Sequence, residues 1–198
     1  MTTRILVYGD SNVWGDSGEG YRYATDEQWT NILQNILGAT YEIVQNGVCG
    51  RTAGDIDEEK PHRNGFAYFT MAIHSVRPLD YTIISLGAND LKEGYVRTAE
   101  QIATDLLRYA KALKDLSARE ELKIKKEIVF LGEALETATG LTERDKTTLQ
   151  QVYEMVRQAG CAVIIPDDAQ RARDGLHYSV EGHRTAAEAM ARAVRGWL

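Results

Sequence analysis

Short apolar runs rich in β-branched residues alternate along the chain with longer segments in which apolar residues recur every three or four positions. The runs Ile83-Ile84 and Val163-Ile164-Ile165 contain no polar residue, which is typical of strands that are buried on both faces. The pattern predicts five strands, at Arg4–Tyr8, Tyr41–Gln45, Tyr81–Leu86, Glu127–Leu131 and Cys161–Ile165.

About five helices are predicted between these strands and after the last one. Thr25 with Gln28, and Thr98 with Gln101, have the spacing of a capping box, in which two side chains satisfy free amides at the start of a helix. The strict alternation of strands and helices predicts an α/β protein with a parallel sheet covered by helices on both faces. Two of the helices carry a single apolar stripe, formed by Ile102, Leu106, Tyr109, Leu113 and Leu116 in one and by Val180, His183, Ala187, Met190 and Val194 in the other.

The composition narrows the class of protein. The 198 residues are 43% apolar, and no Pro/Gly-rich linker divides them, so we expect one domain over residues 1–198. The net charge of −6 and the lack of a basic run argue against nucleic-acid binding. No apolar run approaches the ~18 residues that span a bilayer, and the start of the chain does not resemble a signal peptide. The sequence therefore predicts a cytoplasmic protein without a membrane partner.

The cysteines and histidines do not predict a cofactor. Two cysteines are too few for a disulfide scaffold, and together with the four histidines they show no zinc-ligand spacing. The glycines near the first strand do not form a phosphate-binding motif. We expect neither a metal nor a nucleotide.

Glycines and polar residues follow the predicted strands, at the edge of an open parallel sheet where ligands bind. Because the carboxyl ends of parallel strands lie along one edge, we expect these segments to meet there. The loop at about Asn46 to Asn64 is long for a compact domain, which favours a functional role. The segments are Gly9-Asp10-Ser11-Asn12, Asn46-Gly47-Val48-Cys49-Gly50-Arg51, Gly87-Ala88-Asn89-Asp90 and Asp174-Gly175-Leu176-His177.

Together these segments contain a candidate for every role in acyl transfer to a serine. Ser11 supplies a hydroxyl at a glycine-framed turn, and His177 supplies an imidazole that can take its proton. Asp174 lies three residues before His177, so one turn places its carboxylate against the imidazole. The amides of Gly50 and Ser11 and the side chain of Asn89 are candidate donors to an oxyanion.

The four segments resemble the four sequence blocks of the SGNH (GDSL-type) hydrolases, in the family's order and over nearly the whole chain. The resemblance implies a flavodoxin-like three-layer α/β/α fold with a five-stranded parallel sheet and an esterase mechanism that needs no cofactor. It implies Ser11 as the nucleophile and first oxyanion donor, Gly50 and Asn89 as the other donors, His177 as the base and Asp174 as its orienting carboxylate.

The longer stretch from Gly9 to Gly15 is most similar to the arylesterase and acyltransferase branch of that family, as are Gly50-Arg51-Thr52 and Arg63-Asn64-Gly65. Members of that branch act on short acyl esters, and some form oligomers, so the resemblance favours a homo-oligomer with a small ester as its partner. The segment Gly132-Glu133-Ala134-Leu135 differs, because it lacks the proline-rich stretch of that branch, and this predicts different pocket walls.

Other residues near these segments have both a structural and a functional interpretation. Trp14, Tyr21 and Tyr23 follow the nucleophile closely and line either a substrate pocket or the core. Asp10 and Asp90 are typical of turn residues whose carboxylates accept hydrogen bonds. Cys49 precedes Gly50 and is expected to fill space, and His183 is expected to be a packing histidine with its hydrogen bonds satisfied.

The sequence thus predicts a serine esterase that hydrolyses small carboxylic esters. An acyltransferase that passes the acyl group to an alcohol is the first alternative, since it needs the same residues. A carbohydrate- or ester-binding module without turnover is the second. The complete set of candidate residues argues against that module, because a degenerate member is expected to lack at least one of them.

Overall fold

The computed structural model describes residues 2–133, 139–166 and 168–196. Its centre is a sheet of five parallel strands in the order β2-β1-β3-β4-β5, which confirms the predicted fold class. β4 begins three residues earlier than predicted, because Ile124 pairs with Leu79 although exposed polar residues follow it. The strands are β1 Thr3–Gly9, β2 Tyr41–Gly47, β3 Leu79–Ser85, β4 Ile124–Leu131 and β5 Ala162–Ile164.

Six α-helices in the described ranges surround the sheet. They are α1 Ser11–Trp14, α2 Trp29–Leu37, α3 Gly65–Val76, α4 Ala99–Ser117, α5 Glu143–Gln158 and α6 Val180–Arg195. None of those helices combines the length and hydropathy that crossing a bilayer requires.

The helices lie on two faces of the sheet because alternate strand residues point to opposite sides. On β1, Leu6 and Tyr8 belong to one apolar core with α3, α4 and α5. Ile5 and Val7 belong to the other core, with α2 and α6. The result is the three-layer α/β/α arrangement that the resemblance implied.

One of the two predicted capping boxes forms. Thr98 accepts a hydrogen bond from the amide of Gln101, whose side chain accepts one from the amide of Thr98. The box at Thr25 is wrong: α2 begins at Trp29, and the side chain of Gln28 donates to the carbonyl of Tyr23 instead. Tertiary burial of Gln28 decides this, since a buried amide has to find a partner where the fold places one.

Two buried charged residues fix the long loop after β2 against the sheet. Asp90 accepts hydrogen bonds from the amides of Ala53, at 2.7 Å, and Gly54, at 3.4 Å. Arg51 donates to the carbonyls of Gly9 and Asn46, at 3.0 and 2.8 Å, and so joins the ends of β1 and β2. These contacts agree with a structural role for Asp90, and they hold the loop at the edge where the strands end.

Candidate active site

Ser11, His177 and Asp174 form a hydrogen-bonded chain at the carboxyl edge of the sheet. Ser11 opens α1 directly after β1, and the other two lie in the turn before α6. The Oγ atom of Ser11 lies 3.0 Å from Nε2 of His177, and Nδ1 of His177 lies 2.5 Å from Oδ2 of Asp174. The fold thus brings together residues that are 166 positions apart in the chain.

The turn before α6 holds Asp174 as an ionised carboxylate. Its Oδ1 atom accepts hydrogen bonds from the amides of Leu176, at 3.0 Å, and His177, at 3.1 Å. Partial burial opposes the charge, but the hydrogen bonds from the His177 ring and from both amides outweigh burial and lower the pKa of Asp174. The second carboxylate oxygen is therefore a permanent acceptor for the imidazole.

Asp10 links the start of α1 to Asn89. One of its carboxylate oxygens accepts from the amide of Asn12, at 3.0 Å, which caps the helix, and the other accepts from Nδ2 of Asn89, at 3.1 Å. Burial, together with the charge of Glu133, raises the pKa of Asp10 to about 7. Asp10 thus has the turn role that its sequence position predicts, and it also orients the Asn89 amide.

The predicted backbone donors remain available. Among the described residues, no acceptor is paired with the amide of Ser11 or of Gly50. Gly50 has φ +80°, and a Cβ atom there would lie 2.7 Å from the guanidinium of Arg63, so any other residue would be strained at this position. The side-chain amide of Asn89 has a second hydrogen beyond the one donated to Asp10.

A cavity of about 290 Å³ opens in front of Ser11 and His177. Both apolar and charged side chains line it, so it suits a small, partly polar ligand. Glu133 and Arg171 are buried within its wall as an ion pair. Its other lining residues include Asn89, Leu91, Lys92, Glu93, Leu141, Asp145 and Leu176.

The predicted pocket aromatics and Gly50 are not among the residues that line this cavity. Trp14 packs under the guanidinium of Arg22, and Tyr21 is 54% exposed. Tyr23 packs edge-on against His183, with ring centroids 5.3 Å apart. Sequence proximity to Ser11 does not place these rings in the cavity, because the chain turns away after Gly15, which has φ +91°.

Sequence analysis did not identify the network around Glu133. Its carboxylate pairs with Arg171 and accepts from Nδ2 of Asn12, at 3.3 Å, while Oδ1 of Asn12 accepts from the amide of Tyr178, at 2.9 Å. The network ties the ends of β1 and β4 to the segment before α6. No local pattern predicts such a pair. The sequence predicts only that the pocket wall at Gly132-Glu133-Ala134-Leu135 differs from that of the similar branch, and Ala134 and Leu135 lie outside the described residues.

A second carboxylate, Asp16, lies beside the same imidazole. Its Oδ2 atom is 3.9 Å from Nε2 of His177 and 3.5 Å from Sγ of Cys49. Burial, together with the charge of Asp16, raises the pKa of Cys49 to about 11, so the thiol stays protonated at neutral pH. Cys49 thus lies close to the site through Asp16, although among the described residues it makes no hydrogen bond to Ser11 or His177.

The buried histidine of α6, His183, packs in the core as predicted, but only one of its two ring nitrogens has a hydrogen-bond partner among the described residues. Nδ1 of His183 accepts from the amide of Trp29, at 3.3 Å, and the ring lies against Tyr23 and Tyr178. Its Nε2 atom is buried with no hydrogen-bond partner among the described residues. Burial lowers the pKa of His183 to about 4, so the ring is neutral at physiological pH.

Comparison with known proteins gives a family and several similar structures. A model of the GDSL-like lipase/acylhydrolase family matches residues 7–185. The native aryl esterase of M. smegmatis is 25% identical, with a TM-score of 0.86 and coverage of 100% of both chains. A carbohydrate acetylesterase from Sinorhizobium meliloti and a putative arylesterase from Agrobacterium tumefaciens are each 24% identical, with the same TM-score and coverage. No curated protein matches the chain.

Proposed function

Because the chain belongs to the GDSL-like lipase/acylhydrolase family, we propose that it is a serine esterase that hydrolyses small carboxylic esters with short acyl groups. The observation that carries the proposal is the hydrogen-bonded chain from Ser11 through His177 to Asp174, with contacts of 3.0 and 2.5 Å. A nucleophile, a base and an orienting carboxylate in this order constitute the machinery of acyl transfer to serine.

Acylation begins when Nε2 of His177 takes the proton of Ser11 and Oγ attacks the ester carbonyl. The ionised Asp174 stabilises the imidazolium and keeps the ring in the tautomer whose Nε2 can accept. The tetrahedral intermediate then breaks the bond to the leaving alcohol, which receives the proton from His177. The acyl group remains on Ser11.

The oxyanion of that intermediate needs donors that are already in place. We assign this role to the amides of Ser11 and Gly50, which have no partner among the described residues, and to the second hydrogen of the Asn89 amide. Asp10 contributes by holding Asn89 in one orientation. No metal or organic cofactor enters these steps.

Deacylation repeats the sequence with a hydroxyl from solution. His177 takes a proton from water, the water oxygen attacks the acyl carbon, and the bond to Oγ of Ser11 breaks as Oγ is reprotonated. An alcohol in place of water would give acyl transfer through the same residues. A binding module without turnover is disfavoured, because it would have no need of an intact nucleophile–base pair.

The test is turnover of p-nitrophenyl acetate by the wild-type protein and by Ser11→Ala. We expect Ser11→Ala to lose nearly all activity while its circular dichroism and unfolding midpoint stay unchanged. Ser117→Ala, at the surface end of α4, removes a hydroxyl far from the site and should retain full activity. Activity that survives in Ser11→Ala would assign the chemistry to another nucleophile, and binding of esters without turnover by the wild type would favour the binding module.

A further inference from the structure

Asp16 is a carboxylate of this site that the acylation step does not use. It faces the nitrogen of His177 that binds Ser11, whereas Asp174 faces the other nitrogen. The side chains of Asp16 and His177 are 23% and 20% exposed, so neither group is sealed from solvent. Asp16 is not among the residues predicted from the sequence, because it belongs to no motif.

The position of Asp16 is fixed by contacts on both sides of its carboxylate. Its amide donates to the carbonyl of Ser11, at 3.0 Å, and its Oδ1 atom accepts from the amide of Gly18, at 3.0 Å. The thiol of Cys49 donates to Oδ2, at 3.5 Å. These contacts hold the carboxylate of Asp16 beside His177, and a carboxylate oxygen that accepts from one thiol can accept a second hydrogen bond.

The gap between Asp16 and His177 has the size of one bridging oxygen atom. The 3.9 Å between Oδ2 and Nε2 is too long for a direct hydrogen bond. An oxygen placed ~2.8 Å from each atom would subtend an angle of about 90° between them, about 15° less than the angle between the two O–H bonds of water, so one water molecule can donate to both atoms through slightly bent hydrogen bonds. Ser11 occupies Nε2 in the free enzyme, but an acylated Ser11 has no proton to donate and leaves Nε2 free.

We propose that Asp16 selects the hydroxyl that deacylates the enzyme, an inference that rests on the proposed serine esterase function. Water donates one hydrogen to Nε2 of His177 and the second to Oδ2 of Asp16. The first proton passes to His177 as the water oxygen bonds to the acyl carbon, and His177 returns it to Ser11 as the ester bond to Oγ breaks. The second hydrogen stays on the released carboxylic acid.

The same geometry discriminates among acceptor alcohols. Methanol has a single O–H group, so it can bind Nε2 but leaves Asp16 facing a methyl group. A vicinal diol such as ethylene glycol offers one hydroxyl to His177 and its neighbour to Asp16. Asp16 is therefore a specificity-determining residue that favours water and polyhydroxylated acceptors over simple alcohols.

The test measures what share of the acetyl groups goes to water and what share goes to an alcohol when the acetyl-enzyme formed from p-nitrophenyl acetate reacts. With methanol at a fixed concentration, the ratio of methyl acetate to acetate depends only on deacylation, since both products arise from one intermediate. We expect Asp16→Asn and Asp16→Ala to raise this ratio about 10-fold or more, the effect of losing a hydrogen bond to a charged acceptor. The preference of the wild type for ethylene glycol over methanol should disappear in both variants.

Asp26→Asn is the matched control, because it removes an exposed carboxylate from the nearby turn at residues 25–27. The ratio of methyl acetate to acetate formed by Asp26→Asn should equal that of the wild type. A wild-type ratio in the Asp16 variants would overturn the proposal.

The decay of acetyl-enzyme in buffer without alcohol, followed by intact mass, is a second measurement. We expect Asp16→Asn to slow that decay 10- to 100-fold, and unchanged decay would also overturn the proposal. Turnover by Ser11→Ala in the same assay would instead show that the proposed function itself is wrong.

Discussion

The carboxylate of Asp10 orients the side chain of Asn89 by accepting a hydrogen bond from its Nδ2 atom at 3.1 Å. The same carboxylate caps α1, where Ser11 is the first residue. One buried group thus fixes both the proposed nucleophile and a candidate oxyanion donor relative to each other. Asp10 is only 3% exposed, so solvent cannot compete for either contact.

We expect Asn89→Ala to lower kcat by about 10²- to 10³-fold, the usual cost of losing one oxyanion donor. KM should change little, because the hydrogen bond forms fully only in the transition state. Asp10→Asn should give a smaller loss of about 10-fold, since an amide at this position can accept only one of the two hydrogen bonds. Steady-state kinetics with p-nitrophenyl acetate measures both effects.

Asn35→Ala, on the exposed surface of α2, serves as the control and should keep the wild-type kcat. Retention of most of kcat in Asn89→Ala would contradict the assignment.

Gly18 leaves room for the carboxylate of Asp174. A Cβ atom at Gly18 would lie 2.5 Å from Oδ2 of Asp174, the oxygen that binds His177. Gly18→Ala should therefore displace Asp174 and lower kcat by about 10- to 100-fold, because small misplacements of catalytic groups are costly.

Gly20→Ala is the matched control for that prediction. Gly20 also has a positive φ, +87° against +73° at Gly18, but its Cβ would meet no atom within 4 Å. Both variants carry similar backbone strain, so the unfolding midpoint should fall in both, while only Gly18→Ala loses activity. Equal activity in the two variants would show that Asp174 accommodates the methyl group.

The neutral His183 makes the fold sensitive to acid. Burial lowers its pKa from 6.5 to about 4, so between these values the unfolded chain binds a proton that the folded protein does not. The free energy of unfolding should therefore fall as the pH drops from about 6.5 to 4, by about 3 kcal/mol from this residue alone.

Urea unfolding of His183→Asn between pH 7 and pH 4.5 measures this contribution. The asparagine oxygen replaces Nδ1 as the acceptor for Trp29 but cannot be protonated, so stability should depend less steeply on pH than in the wild type. His62→Asn changes an exposed histidine and should keep the wild-type slope. If His183→Asn also kept that slope, the acid sensitivity would arise elsewhere.

The buried ion pair of Glu133 and Arg171 should be costly to break. Arg171→Met leaves the Glu133 carboxylate buried without its cation, and loss of one partner of such a pair costs about 3–5 kcal/mol. Urea unfolding should show this loss, and adding Glu133→Leu should recover part of it. Arg173→Met, at an exposed position two residues away, should leave stability nearly unchanged. A mild effect of Arg171→Met would mean that solvent reaches Glu133.

The sequence by itself determined the sheet and the convergence of the candidate site. Short apolar runs alternate with segments of helical period, and this alternation identified all five strands without tertiary information, although β2 and β4 also contain half-buried or exposed polar residues. Parallel strands end at one edge, and this placed Ser11, Asn89 and the turn of Asp174 and His177 together. The short spacing from Asp174 to His177 is a local property, which one turn converts into a hydrogen bond.

Only the tertiary structure decided which neighbours surround that site. Trp14, Tyr21 and Tyr23 follow Ser11 closely in sequence, yet they do not line the cavity, whereas Glu133 and Arg171 do. Asp16 reaches His177 because the chain reverses after Gly15, and no periodic pattern encodes the direction of such a turn. Contacts between distant segments depend on how whole helices and strands pack against one another. A local sequence pattern reflects only the hydrogen bonds within one element and the face that this element buries.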